Sequence, residues 1–227
     1  MTSAKVALEV VARRFSTTIE QGEDSPFAYL EFEGRKVAVE VTMLALGREV
    51  ASISARPRLR FDKAVLRVVG RLQAALSDIV LDGSAIVFTM TAPIRLAAKT
   101  AADLEARIRE CLSNGRDEIE DTIHGNRIRV RVLTGGPRSV SKVVGFVHNP
   151  ETDSRLLLDM SQALLACLGA TRKETSAESE RWLIVAVDRG PTQIEAWRQV
   201  WLQLSIETGF AKILIVSAGG QVETLEP

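Results

Sequence analysis

Apolar residues at three- and four-residue spacings (Val6, Val10, Val11 and Phe15) mark one face of a helix over residues 4–18, closed by Gly22. After a polar segment ending at Pro26 the period switches to two. Residues 27–33 and 36–42 read as the arms of a hairpin about Gly34. Val37, Val39 and Val41 share one face of the second arm, and Ala38, Glu40 and Thr42 share the other. A two-residue turn at Glu33-Gly34 pairs Phe32 with Arg35 and sets Phe27 opposite Glu40. Residues 47–60 have no apolar period, carry Arg48, Arg56, Arg58 and Arg60, and read as a loop.

Further along, the pattern predicts a helix over about 62–80 behind Asp62, a strand at 84–90 and a helix at 98–113 opened by Thr100. Leu104, Ile108, Cys111 and Leu112 form the inner stripe of that helix. A strictly alternating strand at 126–132 follows, then a strand at 142–147 and a helix at about 154–168. The runs at 182–187 and 212–216 are continuously apolar, as strands buried on both faces are. A helix at 191–207 lies between them, so they read as parallel strands joined by a right-handed crossover. The stripe Ile194, Trp197, Trp201 and Leu204 reads as packing against those strands. A short strand at 221–225 comes last. The expectation is one α/β domain over 1–227, with a mixed central sheet flanked by helices and a C-terminal βαβ unit.

Composition narrows the function classes. Lys and Arg number 29 against 29 Asp and Glu, so a wholesale basic coat for nucleic acid is excluded, and any phosphate attraction is local. Two cysteines, Cys111 and Cys167, make neither a disulfide framework nor a paired-cysteine metal site. Glu9 interrupts the only candidate for a leader, and no apolar run approaches the ~20 residues that span a bilayer. A cytoplasmic protein without membrane association is expected. No dinucleotide fingerprint, phosphate-binding glycine loop or nucleophile elbow occurs. His124 and His148 have no metal-type spacing, and each reads as a surface or turn histidine.

Two features stand out as candidate chemistry. Glu40 lies within an otherwise apolar strand, where a carboxylate is costly unless paired, hydrogen-bonded or facing a metal. The simpler reading, and the favoured one, is a half-exposed hairpin whose polar face turns to solvent. Arg127, Arg129 and Arg131 line one face of an alternating strand. That stripe suits phosphate contacts, and it also suits a solvated sheet face paired with Glu118, Glu120 and Asp121.

The hairpin, with Pro26, Gly34, Arg35, Glu40 and Thr42 behind a helix bearing Glu9, resembles the PD-(D/E)XK restriction-endonuclease-like superfamily in its E-x-T form. The end of the chain, 182–225, is similar to that group as well. The resemblance implies a restriction-endonuclease-like core in which hairpin carboxylates hold Mg²⁺ or Mn²⁺ against a phosphodiester. Carried over, Glu40 is the second carboxylate and a metal ligand, and Thr42 stands where lysine is common. Glu9 and Asp24 assist, Asp24 as a further metal ligand. The chain departs from the pattern at Phe27, where an aspartate belongs, and in 154–168, which holds Arg155 but no lysine. Asp24 or Glu31 would have to replace the missing carboxylate. These departures imply a degenerate active site: a nuclease-like module that binds nucleic acid, through Arg127, Arg129 and Arg131, or a protein partner, including a second copy. The alternative is an active metal-dependent phosphodiesterase using Glu40 with Glu9 and Asp24.

Overall fold

The computed structural model describes residues 3–21, 27–45, 63–138, 140–171, 180–189 and 194–225. In chain order the elements are α1 (Ala4–Arg14), β1 (Thr18–Gln21), β2 (Phe27–Phe32), β3 (Arg35–Ala45), α2 (Lys63–Leu76), β4 (Ala85–Thr91), α3 (Ala97–Ser113) and β5 (Glu118–Ile123). They continue with β6 (Asn126–Leu133), β7 (Val143–His148), α4 (Ser154–Ala170), β8 (Arg181–Arg189), α5 (Ile194–Leu204), β9 (Lys212–Val216) and β10 (Val222–Leu225). The α/β class expected from the sequence holds, but the strands form two mixed sheets rather than one central sheet. Contacts sort the elements into two compact units.

The first unit holds α1 and a six-stranded sheet in the order β1-β2-β3-β8-β9-β10. The hairpin register is the expected one: Phe32 faces Arg35 across a turn with Gly34 at φ +80°, and Phe27 faces Glu40. β3, β8 and β9 run parallel at the centre, where residues 182–187 and 213–216 are buried on both faces. Helix α1 starts at an N-cap, the Ser3 hydroxyl accepting from the Val6 N–H. It lays Ala7, Leu8, Val11 and Ala12 on Val37, Val39, Val41, Trp182 and Ile184. The helix expected to reach residue 18 ends at Arg14, because Thr18–Gln21 forms an edge strand on β2.

The second unit holds α2–α4, α5 and a four-stranded sheet in the order β5-β6-β4-β7. Its α5 connects the parallel neighbours β8 and β9, as expected, yet its contacts group it here, with Ala196, Trp197, Val200, Trp201 and Leu204 buried. Helices α2 and α3 cover one face of the sheet, packing Val68, Leu72, Leu104 and Ile108 on Ile86, Phe88, Ile128, Val130 and Val147. No helix among the described residues is long and apolar enough to cross a membrane.

Two glycines set close approaches in this unit. A Cβ on Gly145 in β7 would overlap the Phe88 ring on the paired strand and lie 2.7 Å from Val69. A Cβ on Gly169 in α4 would overlap the Gly135 carbonyl, which is backbone and has no rotamer to move. By contrast, Gly70 is an exposed α2 residue with open space around its missing side chain. Gly70→Ala should therefore stabilise the protein by about 0.5–1 kcal/mol. Gly169→Ala should destabilise it by about 3 kcal/mol, the upper end of overpacking costs. Urea unfolding followed by circular dichroism reads both signs.

Candidate functional site

Among the described residues, those singled out in the hairpin and its preceding helix do not converge on one site. Glu40 is buried, and strand alternation turns it away from the face that Val39 and Val41 present to α1. Its carboxylate lies 3.4 Å from the Arg181 guanidinium, at the start of β8. That guanidinium also stacks 4.8 Å over the Phe210 ring. Glu9 is exposed on α1, on the opposite side of the sheet from Glu40. Thr42 is half-buried two residues beyond Glu40, in register with Val185. Asp24 and Pro26 lie outside the described residues, as do Arg48, Arg56, Arg58 and Arg60. The misplaced look of Glu40 is thus met by an ion pair across β3 and β8.

Arg127, Arg129 and Arg131 do share one face of β6, but two of them are tied down. Arg131 meets Asp159 of α4 at 2.7 Å and Glu118 of β5 at 3.4 Å. Arg129 donates to Glu120 and to the Ser154 hydroxyl, both at 2.6 Å. Glu120 also pairs with Arg155, and these two arginines hold its carboxyl down to about 2. Asp121, the third expected partner, instead faces Arg107 at 3.6 Å. The Arg127 side chain is exposed, with no ion-pair or hydrogen-bond partner among the described residues. Its backbone is anchored by buried Asn126, which accepts from the Arg95 N–H at 2.7 Å and donates to the Ile123 carbonyl at 2.9 Å.

Beside Arg127 opens a polar cleft of about 480 Å³, at the C-terminal ends of the parallel strands β4 and β7 and the start of α4. This is where open α/β sheets hold ligands. Its floor comes from register: Thr89 pairs with Arg129 on one side and Phe146 on the other, and Thr91 pairs with His148. Thr89 and His148 are buried to 1% and 2% exposure, yet the Thr89 hydroxyl and His148 Nε2 have no hydrogen-bond partner among the described residues. His148, read from sequence as a surface or turn histidine, is the buried last residue of β7. The alternation through Val144 and Phe146 carries it inward, which is the signal that could have found it. The turn reading does hold for His124, exposed at φ +50° and 2.8 Å from Asp103.

The chemistry at His148 is set by its other nitrogen. Nδ1 lies 2.8 Å from the Asn149 carbonyl oxygen. A carbonyl only accepts, so Nδ1 carries the proton and Nε2 is left a buried lone pair with no partner among the described residues. Burial holds the imidazole below its ordinary protonation range; Arg129 and Arg127 push the same way, and the Asn149 carbonyl and Asp153 oppose them. The cleft lining thus holds a base-form imidazole, four threonines and one uncommitted guanidinium.

Two outcomes check these assignments. Glu40→Ala removes the carboxylate 3.4 Å from the Arg181 guanidinium and should cost about 3 kcal/mol in urea unfolding, as expected when a buried ion pair is broken. Because His148 resists protonation when folded, the unfolded chain takes up the extra proton as pH falls below about 6.5, the free imidazole's value. Stability should therefore drop between pH 7.5 and 5.5, and the drop should be smaller in His148→Gln. No family model, curated protein or solved structure matches the chain.

Proposed function

We propose that the protein is a binding module for a small polar molecule, held in the cleft at the ends of β4 and β7. One observation carries this reading. Two almost wholly buried side chains of the cleft lining each leave a polar atom unpartnered among the described residues, Thr89 Oγ1 and His148 Nε2. Each such atom costs about 1–3 kcal/mol in a folded protein, so a fold that keeps two together keeps them for something that binds. The cleft also has the volume of small-molecule sites, roughly 300–1,000 Å³.

The two readings implied by the nuclease resemblance receive less support. A metal held by Glu40 would have to compete with Arg181 for the carboxylate. A nucleic acid lying along β6 would find Arg129 and Arg131 already engaged by acidic partners, leaving one guanidinium for its phosphates.

The test uses thermal shifts of the whole protein against a panel of anions, polyols, amines and nucleosides at millimolar concentration. Thr89→Val keeps the shape and removes the orphan hydroxyl. It should raise the melting temperature without ligand, since about 1 kcal/mol of desolvation cost disappears, or roughly 2–4 °C. The same variant should reduce the shift produced by any solute that binds. Loss of stability in Thr89→Val, solute shifts that ignore it, or magnesium-dependent cleavage of nucleic acid abolished by Glu40→Gln would overturn the proposal.

A further inference from the structure

We infer that the occupant of the cleft is a small anion that also carries hydroxyl groups, the chemistry shared by sugar phosphates and sugar acids. This rests on the cleft being a ligand site and goes on to what the ligand is. The hydroxyl requirement comes from His148. Its Nε2 is a lone pair, because Nδ1 spends its proton on the Asn149 carbonyl. A lone pair in a buried position calls for a donor from the ligand, either O–H or N–H. The Thr89 hydroxyl, which both donates and accepts, belongs to the lining of the same cleft.

The sign of the ligand's charge follows from which charges in the cleft are already spent. Glu120 is held by Arg129 and Arg155. Asp121 accepts from the Thr122 N–H at 2.7 Å and faces Arg107. Asp153 accepts from the Arg155 N–H at 2.9 Å, capping the start of α4. All three acids of the lining are committed, and Arg129 is committed with them. Arg127 alone among the charged lining residues has neither ion pair nor hydrogen bond among the described residues. The uncommitted charge is positive, and it sits at the exposed rim. An ammonium group would bring a second positive charge beside the unpaired Arg127, which favours O–H donors. The anion belongs at the rim on Arg127, and the hydroxyls belong at the floor on His148 and Thr89.

Calorimetry with the full chain tests this with four probes: ribose 5-phosphate, gluconate, ribose and inorganic phosphate. Ribose 5-phosphate or gluconate should bind at least tenfold tighter than both ribose and inorganic phosphate, and the tighter of the two identifies the anion. Arg127→Gln changes an exposed side chain and should keep the fold. It should weaken the preferred probe about tenfold and leave ribose unaffected. Thr89→Val should bring the preferred probe down towards inorganic phosphate. Ribose binding as tightly as the anions would overturn the inference while leaving the cleft as a site. So would an Arg127→Gln protein that keeps full affinity. No heat with any of the four probes also overturns it, and the broader solute panel then decides whether the cleft binds anything else.

Discussion

The second sheet depends on pairing the arginines of β6. That strand turns Arg127, Arg129 and Arg131 onto the same face as Val87, Thr89, Val144 and Phe146, a face whose strand centres are buried. A charge there is tolerable only with a partner. Glu118 and Glu120 come from β5, and Asp159 and Ser154 come from α4. These bonds do two structural jobs: they hold a polar segment onto the sheet as a strand, and they fix the first turn of α4 over β6. The pairing runs out one step before the end of the strand. Where it stops, Arg127 is left over and the cleft begins.

The two sheets handle polar groups on buried strands in opposite ways. In the first, Glu40 finds Arg181, and Arg181 also lies against Phe210, so the group is neutralised within the fold. In the second, the Thr89 hydroxyl and His148 Nε2 belong to side chains as deeply buried and have no partner among the described residues. Both cases look alike in sequence, as a polar residue inside an apolar strand. What separates a structural pair from a site is whether the partner is another residue of the chain.

Much of the fold could be read from residue order. The period-two pattern of 36–42 and the glycine at position 34 gave the hairpin register down to the Phe27–Glu40 pair, and unbroken apolar runs gave the central parallel strands. Two strands escaped notice for a shared reason. Thr18–Gln21 and Glu118–Ile123 are edge strands rich in Glu, Gln and Asp, residues with weak strand preference. They are held by what lies across from them, as Glu118 and Glu120 are by Arg131 and Arg129. The division into two sheets was equally hidden, because local periodicity says which residues face inward but not which strands become neighbours. The candidate site was the least legible part. Its floor and rim come from β4, β6 and β7, so no short motif holds it, and the one residue that looked displaced, Glu40, was displaced for a structural reason.

The strand order of the first sheet also governs when it can form. β3 lies between β2 and β8, and β8 is made only after every strand of the other sheet. During synthesis the hairpin emerges early and waits with one side of β3 unsatisfied, an open edge of the kind that invites pairing with another chain. The four strands of the second sheet, in contrast, are contiguous in the chain and close among themselves first. A nascent chain halted after α4 would therefore have one sheet complete and the other as an exposed ribbon. That intermediate, rather than the finished protein, is where chaperones would be needed.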